Sequence, residues 1–249
     1  MAFILRKYPN SPKSPNRFGN PPKGVPAPAL PRGRIAEPSA PGGRIVEYVT
    51  TPRDLLLLSL DLPSERPVEQ GDLSLALAGA ELADLLAAGA VALDGDRIVP
   101  APRQKTGDRL LDQAGAALKE RPPYESVEDW LWRRGEGLAV AYIDAMEADG
   151  RLTGRRHRWL PARGGRRTPV DSPERREAAE RWASHEPVLI GLAAALGIEA
   201  GPGEETAVPD DEALVTVLAA VNDALTELEA VRQRRRIENA AFDNIWRAP

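Results

Sequence analysis

The sequence contains no cysteine, and this absence excludes disulfide bonds, thiol catalysis and cysteine-ligated metals. It also fits a reducing cytoplasm. Histidine is almost as scarce, since the chain has only His157 and His185. The arginines around His157 repel a metal cation, and His185 precedes a predicted helix, where a capping or exposed role is expected. We therefore predict no metal ion, no cofactor and no catalytic role for either histidine.

The motifs of common enzyme classes are also missing from the sequence. The chain has no glycine-rich phosphate loop, no serine nucleophile elbow and no paired-aspartate metal motif. Asp108 and Asp112 lie close together in the chain, and two interpretations are open for them. They form a helix cap and a turn anchor, or they form a catalytic carboxylate pair. We favour the structural interpretation and predict that the protein is not an enzyme.

Aromatic residues make up 5% of the chain, whereas alanine, leucine and arginine are abundant, and this composition favours helices. Residues 73–88 are apolar nearly all round, since their polar members are Ser74, Glu81 and Asp84. With about 17 residues and an acidic interior, this stretch is marginal for spanning a bilayer. A helix without a polar face belongs inside a larger fold. We predict a mainly α, compact helical domain around this buried central helix, with two short β-hairpins.

Local signals predict the elements around the central helix. Asp72 is predicted to cap it and Gly89 to end it. A first hairpin is predicted at residues 90–100, around Asp94-Gly95. A second is predicted at residues 151–160, with strands at each end of that range. Shorter helices are predicted at residues 55–60, 106–119, 126–134, 138–148, 174–183 and 187–196. Ser126 and Ser172 are predicted to cap the helices that they precede.

A last helix is predicted to begin near Pro209 and to carry one apolar face. The apolar residues of that face follow a 3.6-residue period and are Leu214, Val217, Leu218, Val221, Leu225, Leu228 and Val231. The face must pack on the core or on a partner. Arg232 and the run 234–236 are predicted to lie near the end of this helix, where its dipole favours cations.

Three features occur along the chain in a recognisable order. They are the leucine run 55–58, the Ala-Gly-Ala-x-Leu-Ala-Asp-Leu helix at 78–85, and the Thr-Gly-Asp-x-Leu-Leu-Asp motif at 106–112. This order resembles the Golgi phosphoprotein 3-like family, whose bacterial members are common in actinobacteria. The resemblance covers about residues 51–173 well and implies a mainly helical, non-catalytic domain that lies peripherally on membranes. Eukaryotic members bind phosphatidylinositol 4-phosphate and recruit membrane-protein cargo, so the resemblance implies partners of both kinds.

The residues that form the eukaryotic phosphoinositide pocket are not matched in this chain. That pocket uses a Trp and an Arg near the start of the central helix and two Arg before the second hairpin. An ungapped alignment places these positions near Glu69 and at Ala78, Glu136 and Ala139. None can be carried over, and the neighbouring Arg133 and Arg134 are the predicted substitutes. We therefore predict a general affinity for anionic phospholipid rather than recognition of one phosphoinositide headgroup.

Residues 1–48 differ in composition from the rest of the chain. They hold ten prolines and eight basic residues against two glutamates. Such a segment buries too little apolar surface to offset chain entropy. We predict a disordered basic extension over residues 1–48, attracted to acidic lipid or simply solvated, and a folded domain over residues 49–249. Because the sequence from Val49 reads like the usual start of family members, a translation start near Val49 is a further prediction.

The most informative polar feature is the arginine-rich stretch at residues 151–167, which contains seven arginines and no Asp or Glu. Arginine forks match phosphate oxygens, and Trp suits the headgroup level of a bilayer. The alternative is a solvated wing whose arginines pair with nearby carboxylates. The predicted lipid-binding residues are Arg133, Arg134, Arg155, Arg156, Arg158, Trp159, Arg166 and Arg167.

These features together predict a non-catalytic protein at the cytoplasmic, inner face of a membrane. Two other classes remain open. A winged-helix DNA-binding regulator would place arginines on its wing, but we find no recognition helix with an exposed basic face before either hairpin, and the net charge of −4 also disfavours nucleic acid. An accessory protein that docks membrane-associated enzymes or cargo could use the apolar face of the last helix.

Overall fold

The structure, a computed structural model, describes residues 50–64, 67–102, 105–153, 167–198 and 208–247. The predicted extension at residues 1–48 and the predicted start near Val49 lie outside these ranges. The described chain is mainly α, with eight helices and two two-stranded antiparallel sheets, as predicted. The helices are α1 Thr51–Asp61, α2 Gln70–Ala87, α3 Arg109–Ala116, α4 Val127–Gly135, α5 Leu138–Ala148, α6 Pro173–Ala183, α7 Pro187–Ala195 and α8 Glu212–Arg247. The strands are β1 Val91–Asp94, β2 Arg97–Pro100, β3 Leu152–Thr153 and β4 Thr168–Pro169.

Helix α2 is the buried central helix that the sequence predicts. It contacts α1, α3, α4, α5, α7 and α8. Both Leu77 and Leu82 are fully buried, and the alanines between the leucines allow neighbouring helices to approach closely. The closest approach is at Gly79, where an added Cβ would overlap the side chain of Val221 on α8. Small residues on α2 therefore determine how near the last helix lies to the core.

The first turn of α2 differs from the prediction that Asp72 caps it. The helix begins at Gln70, with Glu69 at the N-cap position, so Asp72 lies inside the first turn and is buried. Its carboxylate accepts a hydrogen bond from Arg232 of α8 at 2.6 Å. The prediction was wrong because a helix dipole favours a carboxylate anywhere in the first turn, so the residue type does not fix the cap position. Gly89, with φ of 64°, follows the last turn as predicted.

The first hairpin is confirmed, but its turn is shifted by one residue. Strands β1 and β2 pair antiparallel, and Asp94 pairs with Arg97. The two loop residues are therefore Gly95 and Asp96, not Asp94-Gly95. Gly95 alone has a positive φ, 61°, which is the arrangement of a type II′ turn with glycine first. Pairing Asp94 in the ladder places Val91 and Leu93 on the same face as Ile98.

The second hairpin uses a different return strand from the one predicted. Strand β3 pairs with β4, in the register Leu152 with Pro169 and Thr153 with Thr168. The predicted return strand at residues 158–160 lies outside the described residues. The helices that flank the two hairpins begin at predicted caps. Asp108 accepts hydrogen bonds from the N–H groups of Leu110 and Leu111, and Ser126 and Ser172 cap α4 and α6 in the same way.

Helix α8 packs its predicted apolar face on the core. Val217, Val221 and Leu225 are buried, and the helix contacts α2, α4 and α7. The first half of this face is therefore covered by the domain itself. The prediction that Arg232 and residues 234–236 lie near the helix end was wrong, because α8 continues to Arg247. Among the described residues, no helix is both long enough and apolar enough to cross a membrane.

Candidate functional site

The β3–β4 sheet joins the two ends of the arginine-rich stretch, which we call its base. Leu152 is buried, and the hydroxyl of Thr153 donates to the carbonyl of Thr168 at 3.2 Å. One residue further out from the loop, the N–H of Val170 donates to the carbonyl of Arg151 at 2.9 Å. The residues that flank 154–166 are thus held side by side, with β4 in contact with α1 and β3 in contact with α5.

The two arginines at the base of this stretch pair with glutamates. Arg151 lies 3.1 Å from a carboxylate oxygen of Glu174, and Arg167 lies 2.8 Å from Glu147. A hydrogen bond from its own backbone N–H lowers the pKa of Glu174 below its ordinary value of 4.5. Burial opposes this shift, and Ser172 and Arg151 add to it. The base of the stretch is therefore close to electrically balanced. The predicted lipid-binding residues Arg155, Arg156, Arg158, Trp159 and Arg166 lie outside the described residues.

Arg134, a predicted lipid-binding residue, belongs to a buried network. Its guanidinium donates to both carboxylate oxygens of Glu81, at 2.6 and 2.7 Å, and to the carbonyl of Leu110 at 3.3 Å. Tyr142 donates to the same carboxylate at 3.0 Å. Burial raises the pKa of Glu81, while Arg134 and Tyr142 act to lower it. Glu81 is 0% exposed, so the bidentate pair joins α2 to α4 inside the domain, and the bond from Tyr142 adds α5.

Arg133, the neighbouring predicted residue, is also paired but reaches the surface. It donates to both oxygens of Glu125, at 2.6 and 2.7 Å, and to the carbonyl of Ala117 at 3.2 Å. Its guanidinium lies 5.3 Å from the ring centre of Trp130, within the range of a cation–π contact. Its side chain remains 44% exposed. Both guanidinium groups already have carboxylate partners. Lipid contact by Arg133 and Arg134 stays a prediction.

The positions that the resemblance assigns to a phosphoinositide pocket are not basic here, and two are inaccessible. Ala78 and Ala139 are both 0% exposed. Glu69 pairs with Arg232 at 3.2 Å. Glu136 lines a groove of about 480 Å³ between α2, α4 and α8. None of the described residues that line this groove is positively charged: they are Gln70, Gly71, Ser74, Leu75, Trp132, Gly135, Glu136, Gly137 and Leu228.

A second cavity, which the sequence did not reveal, lies beside the Thr-Gly-Asp motif. It has a volume of about 780 Å³ and lies between α3, the end of β2 and the end of α2. The lining residues are Leu85, Ala90, Pro100, Ala101, Pro102, Lys105, Thr106, Leu111, Asp112, Gly115, Ala116, Leu118 and Glu120. Asp112 accepts from the N–H and the hydroxyl of Thr106 at 2.8 and 2.9 Å, and Asp108 caps α3 and pairs with Arg53. Both carboxylates thus have the capping and anchoring geometry that we favoured.

Sequence reasoning also missed a cluster of buried and half-buried carboxylates where α1, α2, α6 and α7 meet. The N–H and hydroxyl of Thr51 donate to Asp84 at 2.9 and 2.6 Å. Arg181 pairs with Asp54, and it also donates to Glu186 at 3.1 Å. Burial raises the pKa of Asp84 to about 7 and that of Asp54 to about 6. Across the described residues, no group of histidine and acidic side chains has the arrangement of a metal site.

Comparison with known proteins gives one family. The family model described as Golgi phosphoprotein 3 (GPP34) matches residues 52–247, which is most of the chain and every element from α1 to α8. The matched range therefore includes the central helix, both sheets and the arginine-rich stretch. None of the curated proteins matches the sequence significantly.

Proposed function

The chain belongs to the Golgi phosphoprotein 3 family, and from this premise we propose that it is a non-catalytic protein that binds anionic phospholipid surfaces peripherally. The contact is made by residues 154–166, which we call the arginine segment, between β3 and β4. The membrane face is the cytoplasmic one, where anionic lipids attract basic segments. A membrane-protein partner, as in the eukaryotic members, stays a prediction.

The observation that carries the proposal is the closure of the arginine segment by the β3–β4 sheet. The segment contains five arginines and neither Asp nor Glu. Because Thr153 pairs with Thr168, the residues on either side of the segment lie together, and all five arginines lie between them in the sequence. Each basic residue near an anionic surface contributes about 1 kcal/mol to binding. Five such residues are enough for a reversible, salt-sensitive attachment.

The ion pairs at the β3–β4 sheet also support the arginine segment as the lipid contact. Arg151 and Arg167 have Glu174 and Glu147 as partners, so they hold the sheet and its flanking helices in place. Trp159, within the segment, suits the headgroup level of a bilayer. The groove at Glu136 offers no cation among its described residues, so the proposal is an affinity for anionic surface charge and not for one phosphoinositide.

The test is sedimentation of the full chain with phosphatidylglycerol-containing vesicles and with neutral phosphatidylcholine vesicles. The variant with Arg155→Ser, Arg156→Ser and Arg158→Ser loses three charges of the segment. At about 1 kcal/mol per residue, we expect roughly a 100-fold weaker partition into anionic vesicles at low salt. Binding of the unmodified chain should also fall as salt is raised, because a surface electrostatic contact is screened.

A matched control removes the same charge from other exposed sites. Arg109, Arg121 and Arg176 are exposed, and replacing them with Ser changes the net charge by the same amount. Equal losses in the two triple variants would show that total charge, not the arginine segment, determines binding, and would refute the proposal. A gel shift with duplex DNA completes the comparison. Binding to DNA without binding to anionic vesicles would favour the regulator alternative.

A further inference from the structure

The cavity beside the Thr-Gly-Asp motif takes no part in the lipid contact proposed above. Its volume of about 780 Å³ lies within the range of small-molecule pockets. Nine of its thirteen lining residues are apolar or glycine, and they come from α2, β2, α3 and the chain after each. Such a cavity, apolar inside with a few polar groups, is the usual form of a binding site for a small apolar or amphiphilic molecule.

The polar groups of the cavity differ in whether they already form hydrogen bonds or ion pairs within the protein. One carboxylate oxygen of Asp112, Oδ1, accepts two hydrogen bonds from Thr106, which is itself buried. Glu120 also has an interaction partner. Lys105 is exposed, and it forms neither an ion pair nor a hydrogen bond with any residue that the structure describes. Among the described lining residues, Lys105 is therefore the cation that is available for a ligand.

We propose that this cavity binds a free single-chain anionic amphiphile of the fatty-acid class. The alkyl chain lies against Leu85, Leu111 and Leu118, and the carboxylate accepts hydrogen bonds from the ammonium of Lys105. Because burial of each CH₂ strengthens binding about fourfold, the affinity should rise with chain length until the cavity is filled. The motif residues that carry the family resemblance thus form one wall of a ligand site as well as a helix cap.

The experiment is isothermal titration of the full chain with dodecanoate, kept below the concentration at which it forms micelles. Dodecyl glucoside has the same chain and no charge, so it separates the contribution of the chain from that of the head. We expect Lys105→Gln to weaken dodecanoate binding about tenfold, as for the loss of a charge-assisted hydrogen bond, and to leave dodecyl glucoside binding unchanged. Lys119→Gln, at an exposed site nearby, should change neither affinity.

Ala116→Phe tests the cavity itself. Ala116 is an exposed lining residue of α3, so a larger side chain there can enter the cavity without disturbing the core. We expect it to weaken the binding of both dodecyl compounds at least tenfold, while thermal unfolding of the free variant shows that the fold is retained. Absence of saturable dodecanoate binding to the unmodified chain would overturn the proposal. So would equal losses from Lys105→Gln and Lys119→Gln, or full binding by Ala116→Phe.

The same variants distinguish a free amphiphile from a chain of a membrane lipid. If Ala116→Phe weakens vesicle sedimentation and dodecanoate does not bind, the cavity takes a bilayer lipid chain, and the free amphiphile is excluded. The inference does not depend on the arginine segment. The variant that lacks Arg155, Arg156 and Arg158 should bind dodecanoate as the unmodified chain does, whatever its affinity for vesicles. Loss of dodecanoate binding in that variant would place the amphiphile on the segment and reject the cavity.

Discussion

Asp84→Asn should make this domain more stable, and more so as the pH rises. Asp84 lies on α2 against the start of α1, where burial raises its pKa from the ordinary 3.8 to about 7. The folded protein therefore holds a proton on Asp84 that the unfolded chain releases, and this proton stabilises the fold at low pH. The stabilisation is complete below about pH 4 and is lost as the pH rises to about 7. An asparagine reproduces the protonated form and removes this loss.

The geometry allows the replacement. The N–H of Thr51 donates to one oxygen of Asp84 at 2.9 Å, and the hydroxyl of Thr51 lies 2.6 Å from the other. The asparagine side chain can accept from the N–H through its oxygen and donate to the hydroxyl through its amide nitrogen. A pKa rise from 3.8 to about 7 corresponds to about 4 kcal/mol of unfolding free energy. Because part of the Asp84 side chain still faces water, we expect about 2 kcal/mol.

The assay is urea unfolding followed by far-ultraviolet circular dichroism at about pH 5 and about pH 8. The gain of Asp84→Asn over the unmodified chain should grow by about 1 kcal/mol between these values, because part of the loss is already present at about pH 5. Asp144→Asn, on the exposed side of α5, is the charge-matched control. A gain that is the same at both pH values would show that Asp84 is ionised throughout, and the reasoning from burial would fail.

Two further changes test the core. Arg134→Met should lower the unfolding free energy by about 3 kcal/mol, because Glu81 loses its partner while 0% exposed, and a loss under about 1 kcal/mol would contradict the buried pairing. Gly79→Ala should lower it by about 2 kcal/mol, because the new methyl group overlaps Val221, whereas adding Val221→Ala should recover part of the loss. Both are measured by urea unfolding, and no recovery in the double variant would mean that α8 does not approach α2 at Gly79.

The proposals for lipid and amphiphile involve separate parts of the molecule. The arginine segment connects the two strands of the β3–β4 sheet, whereas the cavity lies between α3 and the end of β2. A single-chain ligand and a membrane surface can thus bind at the same time or exclude each other. Vesicle sedimentation with and without dodecanoate measures any coupling between the two.

The elements whose signals are local could be predicted from the sequence. The apolar run of α2 could only be a buried helix, because it has no polar face. Ser126 and Ser172 marked helix starts through bonds to N–H groups three residues away. The glycine of the first hairpin marked its turn, although the one-residue shift depended on how the two strands pair. The same local reasoning assigned Asp108 and Asp112 to a cap and an anchor.

The interactions between residues far apart in the chain depend on how the helices pack. Arg134 meets Glu81 and Arg232 meets Asp72 because α4 and α8 pack on α2, and no spacing in the sequence encodes such a meeting. The return strand β4 and the cavity beside Thr106 arise in the same way, from segments that the fold brings together. Local hydrogen bonds and periodicity depend on residues that are neighbours in the chain, whereas packing partners depend on the shape of the whole core.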